Sequence, residues 1–351
     1  MTRVGILTFH YANNYGAVLQ TYGLAQAISQ MGRCVEVIDY RPWAARRGVD
    51  RWPRHPLKFF PAMRKRRKFH QFRQRYLPLS ARTYGSFEEL QAHPPNVDCV
   101  VCGSDQVWNT ASYRGFDPAF FLGFLGQGGP RRISYAATFG FAEELGEHER
   151  RVRHLLSAFG HLSVRDRKSQ KMLCDLTGRS SEHVLDPTFL TDYDSITPPR
   201  IYRHPYIFAY CMNITCGDFF IHAIDALSKR LGMPAVCVHR PLPLRQAKFA
   251  RVAGPLQWLS LIRHAEFVCT SSFHGTCFSL ANRKQFMVFP IKKGQVRLDD
   301  ILQTAGLSDR FVRNEDDLER VLTCAVDYEV VSERIGEARQ RSLTFLGEAL
   351  R

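Results

Sequence analysis

Short apolar, β-branched runs alternate with amphipathic stretches along the whole chain, and this alternation constrains the fold more than any other feature of the sequence. Residues 4–9 (Val-Gly-Ile-Leu-Thr-Phe) read as a strand, and residues 17–28, whose apolar positions recur about every 3.6 residues, as a helix. The strand 35–40 follows, then residues 87–91 and the strand 97–102. Residues 132–139 resume the pattern, with a charged helix over 143–158, a strand over 162–165, a helix near 167–177 and the run 183–187. Residues 191–204, with Pro198 and Pro199 and little apolar content, read as a linker. Beyond it come 206–210, a helix over 217–231, 235–239, a helix over 256–264, the strand 266–270, a helix from Cys277, and 286–290. Strands separated by helices indicate parallel sheets covered on both faces. The expected architecture is α/β, two doubly wound Rossmann-like domains facing a cleft, over 1–195 and 200–312. The helical segment 313–351 is expected to pack back on the first domain.

At 351 residues the chain is long enough for two such cores, and 45% apolar residues is ordinary for a globular protein. No run approaches the ~18 to 20 apolar residues that span a bilayer. The apolar segment at the start is too short for a signal peptide and reads as a first strand, so a cytoplasmic protein is expected. Of ten cysteines, Cys99 and Cys102 show CxxC spacing but lie within one strand, where residues three apart point to opposite faces. Cys34, Cys237, Cys269 and Cys277 also stand in apolar runs, so reduced, packed cysteines are expected and no metal site.

Lys and Arg number 48 against 33 Asp and Glu, a net charge of +15, and the excess is concentrated in residues 41–82. That insertion holds Arg46, Arg47, Arg51, Arg54, Lys58, Arg64 to Lys68, Arg73, Arg75 and Arg82, with Asp50 as its acid. Trp43, Trp52, Phe59, Phe60, Phe69, Phe72 and Tyr76 are interleaved. A solvated helical insertion with its aromatics turned to the domain accounts for it. So does a surface facing phospholipid headgroups or a pyrophosphate-bearing acceptor. Nucleic acid is not expected, because no helix-turn-helix, RRM or finger pattern accompanies the charge.

Polar clusters stand at the ends of the predicted strands, where doubly wound sheets hold their ligands. In Thr270 to Leu280 a strand runs through a tight turn, Ser272-Phe273-His274-Gly275-Thr276, into a helix. A helix N-terminus offers N–H groups and partial positive charge to an anion. Gly275 permits close backbone approach and His274 can carry a proton, although Ser, Thr and Gly are also ordinary capping residues. Asn13, Asn14, Tyr15 and Gly16 precede the first helix. Asn amides suit sugar hydroxyls, and Asn-Asn-x-Gly is equally good turn chemistry. In Cys102 to Asn109, Asp105 can hold or deprotonate a hydroxyl and Trp108 can stack on a sugar, while a cap with a core Trp fits the same spacing. Arg165 stands on a strand of small or apolar residues. It either pairs with an acid or grips a carboxylate or phosphate. Asp186, before Pro187, reads as a turn cap.

Taken in order, residues 8–20, Cys102 to Asn109, 134–140, Ser163 to Asp166, 184–188 and Ser272 to Thr276 resemble the polysaccharide pyruvyl transferase family. The resemblance implies a GT-B-like fold and transfer of pyruvate from phosphoenolpyruvate to two hydroxyls of a sugar, often in a lipid-linked precursor. Phosphoenolpyruvate is then a co-substrate, with no cofactor. The first domain becomes the acceptor side, with Asn13, Asn14, Tyr15, Gly16 and Trp108 shaping the pocket and Asp105 orienting or deprotonating the hydroxyl. The second becomes the donor side, where Ser272, His274, Gly275 and Thr276, with Arg165, hold the donor and His274 acts as general acid. Family members can carry an Arg two residues before the motif His, where it helps hold the donor; that position is Ser272 here. The expected setting is the cytoplasm, at the inner face of the plasma membrane, with residues 41–82 in peripheral contact with anionic lipid. A nucleotide-sugar glycosyltransferase of the same fold is the main alternative, ahead of a non-catalytic glycan- or membrane-binding protein.

Overall fold

The computed structural model describes residues 2–42, 56–212, 218–238, 242–244, 247–250 and 252–351, with only the backbone of 56–58. Residues 43–55 of the basic insertion, which include Trp43, Arg46, Arg47, Asp50, Arg51, Trp52 and Arg54, lie outside the described residues. The chain divides into two units. The first comprises Met1–Trp52, His70–Thr191 and Ala338–Arg351, and the second Pro53–Phe69 and Asp192–Glu337.

In the first unit, β1 (Arg3–Leu7), β2 (Cys34–Tyr40), β3 (Leu79–Tyr84), β4 (Cys99–Cys102) and β5 (Arg131–Ser134) form a parallel sheet in the order β3-β2-β1-β4-β5. Val4 pairs with Val35 on one side and with Cys99 on the other. A two-stranded parallel sheet, β6 (Ser163–Val164) with β7 (Glu182–His183), continues beyond β5 through a bridge from Ala137 to Val164. In the second unit, β8 (Ile207–Tyr210), β9 (Ala235–Cys237), β10 (Lys248–Phe249), β11 (Phe267–Thr270) and β12 (Gln285–Val288) repeat the order as β10-β9-β8-β11-β12.

Both sheets are covered on both faces, as parallel sheets require. All four residues of β4 are buried, and alternate ones enter different cores. Cys99 and Val101 pack with Val4, Ile6 and Leu24, whereas Val100 and Cys102 pack with Phe120, Phe139 and Phe159. The two sulfurs therefore face opposite sides of the sheet, and both are free thiols. Cys237, Cys269 and Cys277 are buried as expected, but Cys34 opens β2 and is exposed. Helix α1 (Tyr15–Gln30) is buried around most of its circumference, and Asn14 caps it by accepting from the Ala17 amide.

Helix α2 (Pro56–Tyr76) carries most of the described basic insertion and contains no acidic residue. Phe69 and Phe72 are buried, whereas Phe60 is 63% and Met63 42% exposed beside Arg64 and Arg67. No helix among the described residues is long and apolar enough to cross a membrane. Helices α3 (Phe87–Ala92), α4 (Glu149–Ser157) and α5 (Arg167–Thr177) belong to the first unit. Helices α6 (Phe219–Leu231), α7 (Pro255–Arg263), α8 (Phe273–Ala281), α9 (Gln295–Ala305) and α10 (Glu315–Thr323) belong to the second.

The final helix, α11 (Tyr328–Ala349), enters the first unit at Ala338. Leu346, Ala349 and Leu350 sit in the core with Val4, Ile6 and Val101, and Ser342 accepts from the Leu185 amide at 2.9 Å. Residues 313–337, by contrast, stay with the second unit, where Leu318 and Val321 pack against Ile224 and Phe289. Leu346 is fully buried. Leu346→Ala should destabilise the first unit by about 2–5 kcal/mol, read as a lower urea midpoint for a probe in that unit.

Candidate active site

The strand order places a switch point in each unit, between β1 and β4 in the first and between β8 and β11 in the second. Connections leave these neighbours in opposite directions, which opens a crevice at their carboxyl ends. The segments that follow β1, β4 and β11 are the polar clusters picked out in the sequence.

In the first unit, the segments after β1 and β4 are bound together through Gln20 of α1. Its Nε2 donates to Thr8 Oγ1 at 3.0 Å, and its Oε1 accepts from the Ser104 amide at 3.4 Å. Thr8 Oγ1 donates in turn to Ser104 O at 2.8 Å. Asn14 is engaged as the helix cap, and Asn13 Oδ1 accepts from Arg73 Nη1 at 3.2 Å. Tyr15 and Gly16 are buried in the first turn of α1. The Asn-Asn-x-Gly segment thus does the work of a turn.

Gly103 has φ 131°, and a Cβ there would fall 2.0 Å from Tyr135 O, so the position admits only glycine. Asp105 follows with φ 83°. Its side chain is 16% exposed, and Oδ1 accepts from the Gln106 amide at 2.8 Å while lying 3.5 Å from Arg165 Nη2. Trp108 departs from expectation. It is fully buried, donates from Nε1 to Phe120 O at 3.0 Å and stacks on Phe121, so neither face of the indole is open to a sugar.

Arg165 also departs from expectation. Its side chain is 1% exposed, and Nη1 donates to Asp186 Oδ2 at 2.6 Å and to Ser104 Oγ at 3.3 Å. Burial disfavours the charge, but Asp186 and Asp105 outweigh that cost and raise the guanidinium above its ordinary value. The side chain is held by carboxylates of its own unit, so it does not present itself to a donor anion. Asp186 accepts as well from Ser104 Oγ at 3.1 Å and from the Thr188 amide at 3.0 Å, capping the turn Pro187–Phe189 as its sequence indicates.

One cluster is not visible from sequence spacing. His10, fully buried, donates from Nε2 to Asp39 Oδ1 at 2.8 Å, and Asp39 also accepts from Arg41 Nε at 2.6 Å and Thr83 Oγ1 at 2.7 Å. Burial alone would raise the Asp39 carboxyl, but these three hydrogen bonds outweigh it and hold the group well below the usual carboxylate range. An acid within the apolar strand 35–40 was the available signal; its partners come from three other positions in the chain.

In the second unit, β11 passes into α8 through Ser271 and Ser272. Ser271 Oγ donates to Met212 O and accepts from Met212 N, each at 2.6 Å, which ties the ends of β8 and β11 together. Ser272 Oγ caps α8 by accepting from the Gly275 amide at 3.4 Å, and Thr276 Oγ1 donates to Ser272 O at 3.1 Å. The hydroxyls of Ser272 and Thr276 therefore build the turn. A Cβ on Gly275 would lie 2.2 Å from Thr270 Oγ1, so the helix packs against the strand end at glycine distance. His274 is 8% exposed in the first turn of α8, its ring edge-on to Phe273, whose face lies 5.9 Å from the Arg297 guanidinium.

The lowered Asp39 carboxyl stabilises the fold in full above about pH 4, the ordinary range for an unfolded Asp. That stabilisation is lost as pH falls through the lower folded-state value. Asp39→Ala removes one partner of a buried cluster and should cost about 3–5 kcal/mol at neutral pH. Urea unfolding at pH 7 and pH 3 should show the difference between variant and parent shrinking at the lower pH.

A family model for polysaccharide pyruvyl transferase matches residues 14–292. No curated protein matches the chain in sequence. Among solved structures, UDP-GlcNAc 2-epimerase from Methanocaldococcus jannaschii is similar at a TM-score of 0.55 and 10% identity, covering 93% of each chain. UDP-GlcNAc 2-epimerase from Neisseria meningitidis, bound to UDP-GlcNAc, reaches 0.54 at 10% identity, covering 100% of this chain and 99% of that one. At such identities the likeness is one of fold, a two-domain Rossmann-like GT-B fold. The turn Ser272 to Thr276 and the segment through Asp105 both lie within the matched span, and the chain belongs to the polysaccharide pyruvyl transferase family.

Proposed function

We propose that the chain transfers the enolpyruvyl carbons of phosphoenolpyruvate to two hydroxyls of a polysaccharide sugar, giving a pyruvate ketal and inorganic phosphate. The observation that carries this reading is His274 in the first turn of α8, at the carboxyl end of β11. There the helix N-terminus favours a phosphate or carboxylate, and the imidazole adds a group able to move a proton. Ser272 and Thr276 act through the turn they build, and Gly275 lets the backbone come close.

His274 protonates the donor methylene, and the adjacent carbon gains oxocarbenium character. One sugar hydroxyl attacks that carbon, the bond to phosphate breaks, and a second hydroxyl closes the ketal. Of the two hydroxyl protons, one balances the proton added to the methyl and the other leaves with phosphate. Asp105, partly exposed and fixed by the Gln106 amide and Arg165, is the group that orients or accepts a proton from the attacking hydroxyl. Arg165 is a positioning residue for Asp105 rather than a donor contact.

The same fold in a protein bound to UDP-GlcNAc keeps a nucleotide-sugar donor as the second reading. Calorimetric titration of phosphoenolpyruvate against UDP-sugars separates the two. His274→Ala should lower ketal formation about 10²- to 10⁴-fold while the circular dichroism and melting temperature stay close to those of the parent. Turnover near the parental rate in the folded variant would remove His274 from the chemistry.

A further inference from the structure

We infer that the second unit docks on an anionic lipid bilayer through the exposed face of α2, with Phe60 and Met63 entering the acyl boundary and Arg64 and Arg67 meeting the phosphate headgroups. Such docking is independent of which donor the chain uses. Residues 53–69 belong to the second unit, and between Phe59 and Phe69 the exposed residues of the helix are Phe60, Met63, Arg64 and Arg67. Separations of three and four residues put these side chains on one side of the helix. Ala62, Lys65 and Arg66, which lie between them in sequence, are half-buried, and Phe69 is fully buried. Burial pushes the Lys65 ammonium down to about 8, as expected of a side chain turned toward the protein.

Two features of this face point to a bilayer. The first is charge of a single sign: Lys or Arg occupies every position from 64 to 68, and the whole helix contains no acidic residue. The negative potential of an anionic leaflet attracts each Lys or Arg near it. The second is exposed apolar surface, since Phe60 is 63% and Met63 42% exposed about one helical turn apart. The other large apolar side chains exposed among the described residues, such as Tyr113, Ile201 and Val330, each stand singly in their own loop or helix. A solvated insertion with its aromatics turned inward accounts for Phe69 and Phe72, both buried, but not for Phe60.

Charge and apolar surface together select the occupant. A nucleic acid would satisfy Arg64 and Arg67 and leave Phe60 and Met63 in water. A second copy meeting the same face would cover the apolar pair but set arginines against arginines. A bilayer with anionic lipid meets both demands at one depth. The apolar side chains gain the burial they lack in the free protein, and the arginine stems lie along the boundary with their guanidinium groups at the phosphates.

Co-sedimentation of the full chain with vesicles tests the surface, using phosphatidylcholine alone and phosphatidylcholine with phosphatidylglycerol in equal parts. The parent should bind the anionic vesicles, come off them as salt rises, and bind phosphatidylcholine alone about tenfold or more less tightly. Arg64→Gln with Arg67→Gln should weaken binding to anionic vesicles about tenfold or more, at roughly fivefold for each charge removed. Phe60→Ser with Met63→Ser should weaken it by about tenfold or more while keeping the parent's salt dependence. All four side chains are exposed, so both double variants should melt with the parent. Absent binding, or binding that ignores vesicle charge, overturns the inference. So does anionic binding that either pair of substitutions leaves unchanged; loss with the arginine pair alone is the behaviour of a surface for nucleic acid or an acidic protein. A parent that is dimeric without lipid and becomes monomeric on replacing Phe60 and Met63 assigns the face to a second copy and overturns it as well. No donor enters these measurements, so failure of ketal transfer leaves the surface standing, and failure of vesicle binding leaves the ketal reading standing.

Discussion

Parallel pairing at the centre of each sheet governs the rest of this molecule. β1 is hydrogen-bonded to β2 on one side and β4 on the other, and β8 to β9 and β11. Every strand in a sheet then ends at the same edge, so segments distant in sequence leave the sheet side by side. Thr8 and Ser104, ninety-six positions apart, meet at 2.8 Å for this reason. Burial of both faces leaves the central strands little polar freedom, Asp39 within β2 being an exception, and the other chemistry-bearing residues collect in the turns just beyond them.

Around that edge the first unit invests in buried charge. Arg165 is enclosed and would be strongly destabilising alone, and Asp186, Ser104 Oγ and the nearby Asp105 compensate its charge. The same contacts fix Asp105 while leaving part of its side chain open. His10 and Asp39 form a second buried cluster on the other side of β1, completed by Arg41 and Thr83. Preorganised polar groups of this kind hold a reacting or binding group in place without reorganisation when ligand arrives.

The strands and helices buried on both faces were legible because their apolar periodicity is set by their own packing. Cys99 and Cys102 could even be assigned to opposite faces from the strand period alone. β3 and β10 were not legible, since both lie at sheet edges and their residues are largely outside the core. The position of Asp105 was readable, but the roles of Trp108 and Arg165 were not. An indole can pack in a core or present a face, and a guanidinium can pair with an acid or a ligand; only the three-dimensional partners Phe120, Phe121 and Asp186 decide. The Asp39 cluster depends on residues gathered from separate segments, which no local pattern encodes.

Incubating the protein with phosphoenolpyruvate and a panel of lipid-linked and free sugar acceptors decides whether it carries out ketal transfer. Inorganic phosphate and acceptor mass are followed together. Ketal transfer should release one phosphate for each acceptor that gains the mass of pyruvic acid less one water. Absence of both across the panel, with transfer from a nucleotide sugar under the same conditions, would contradict it.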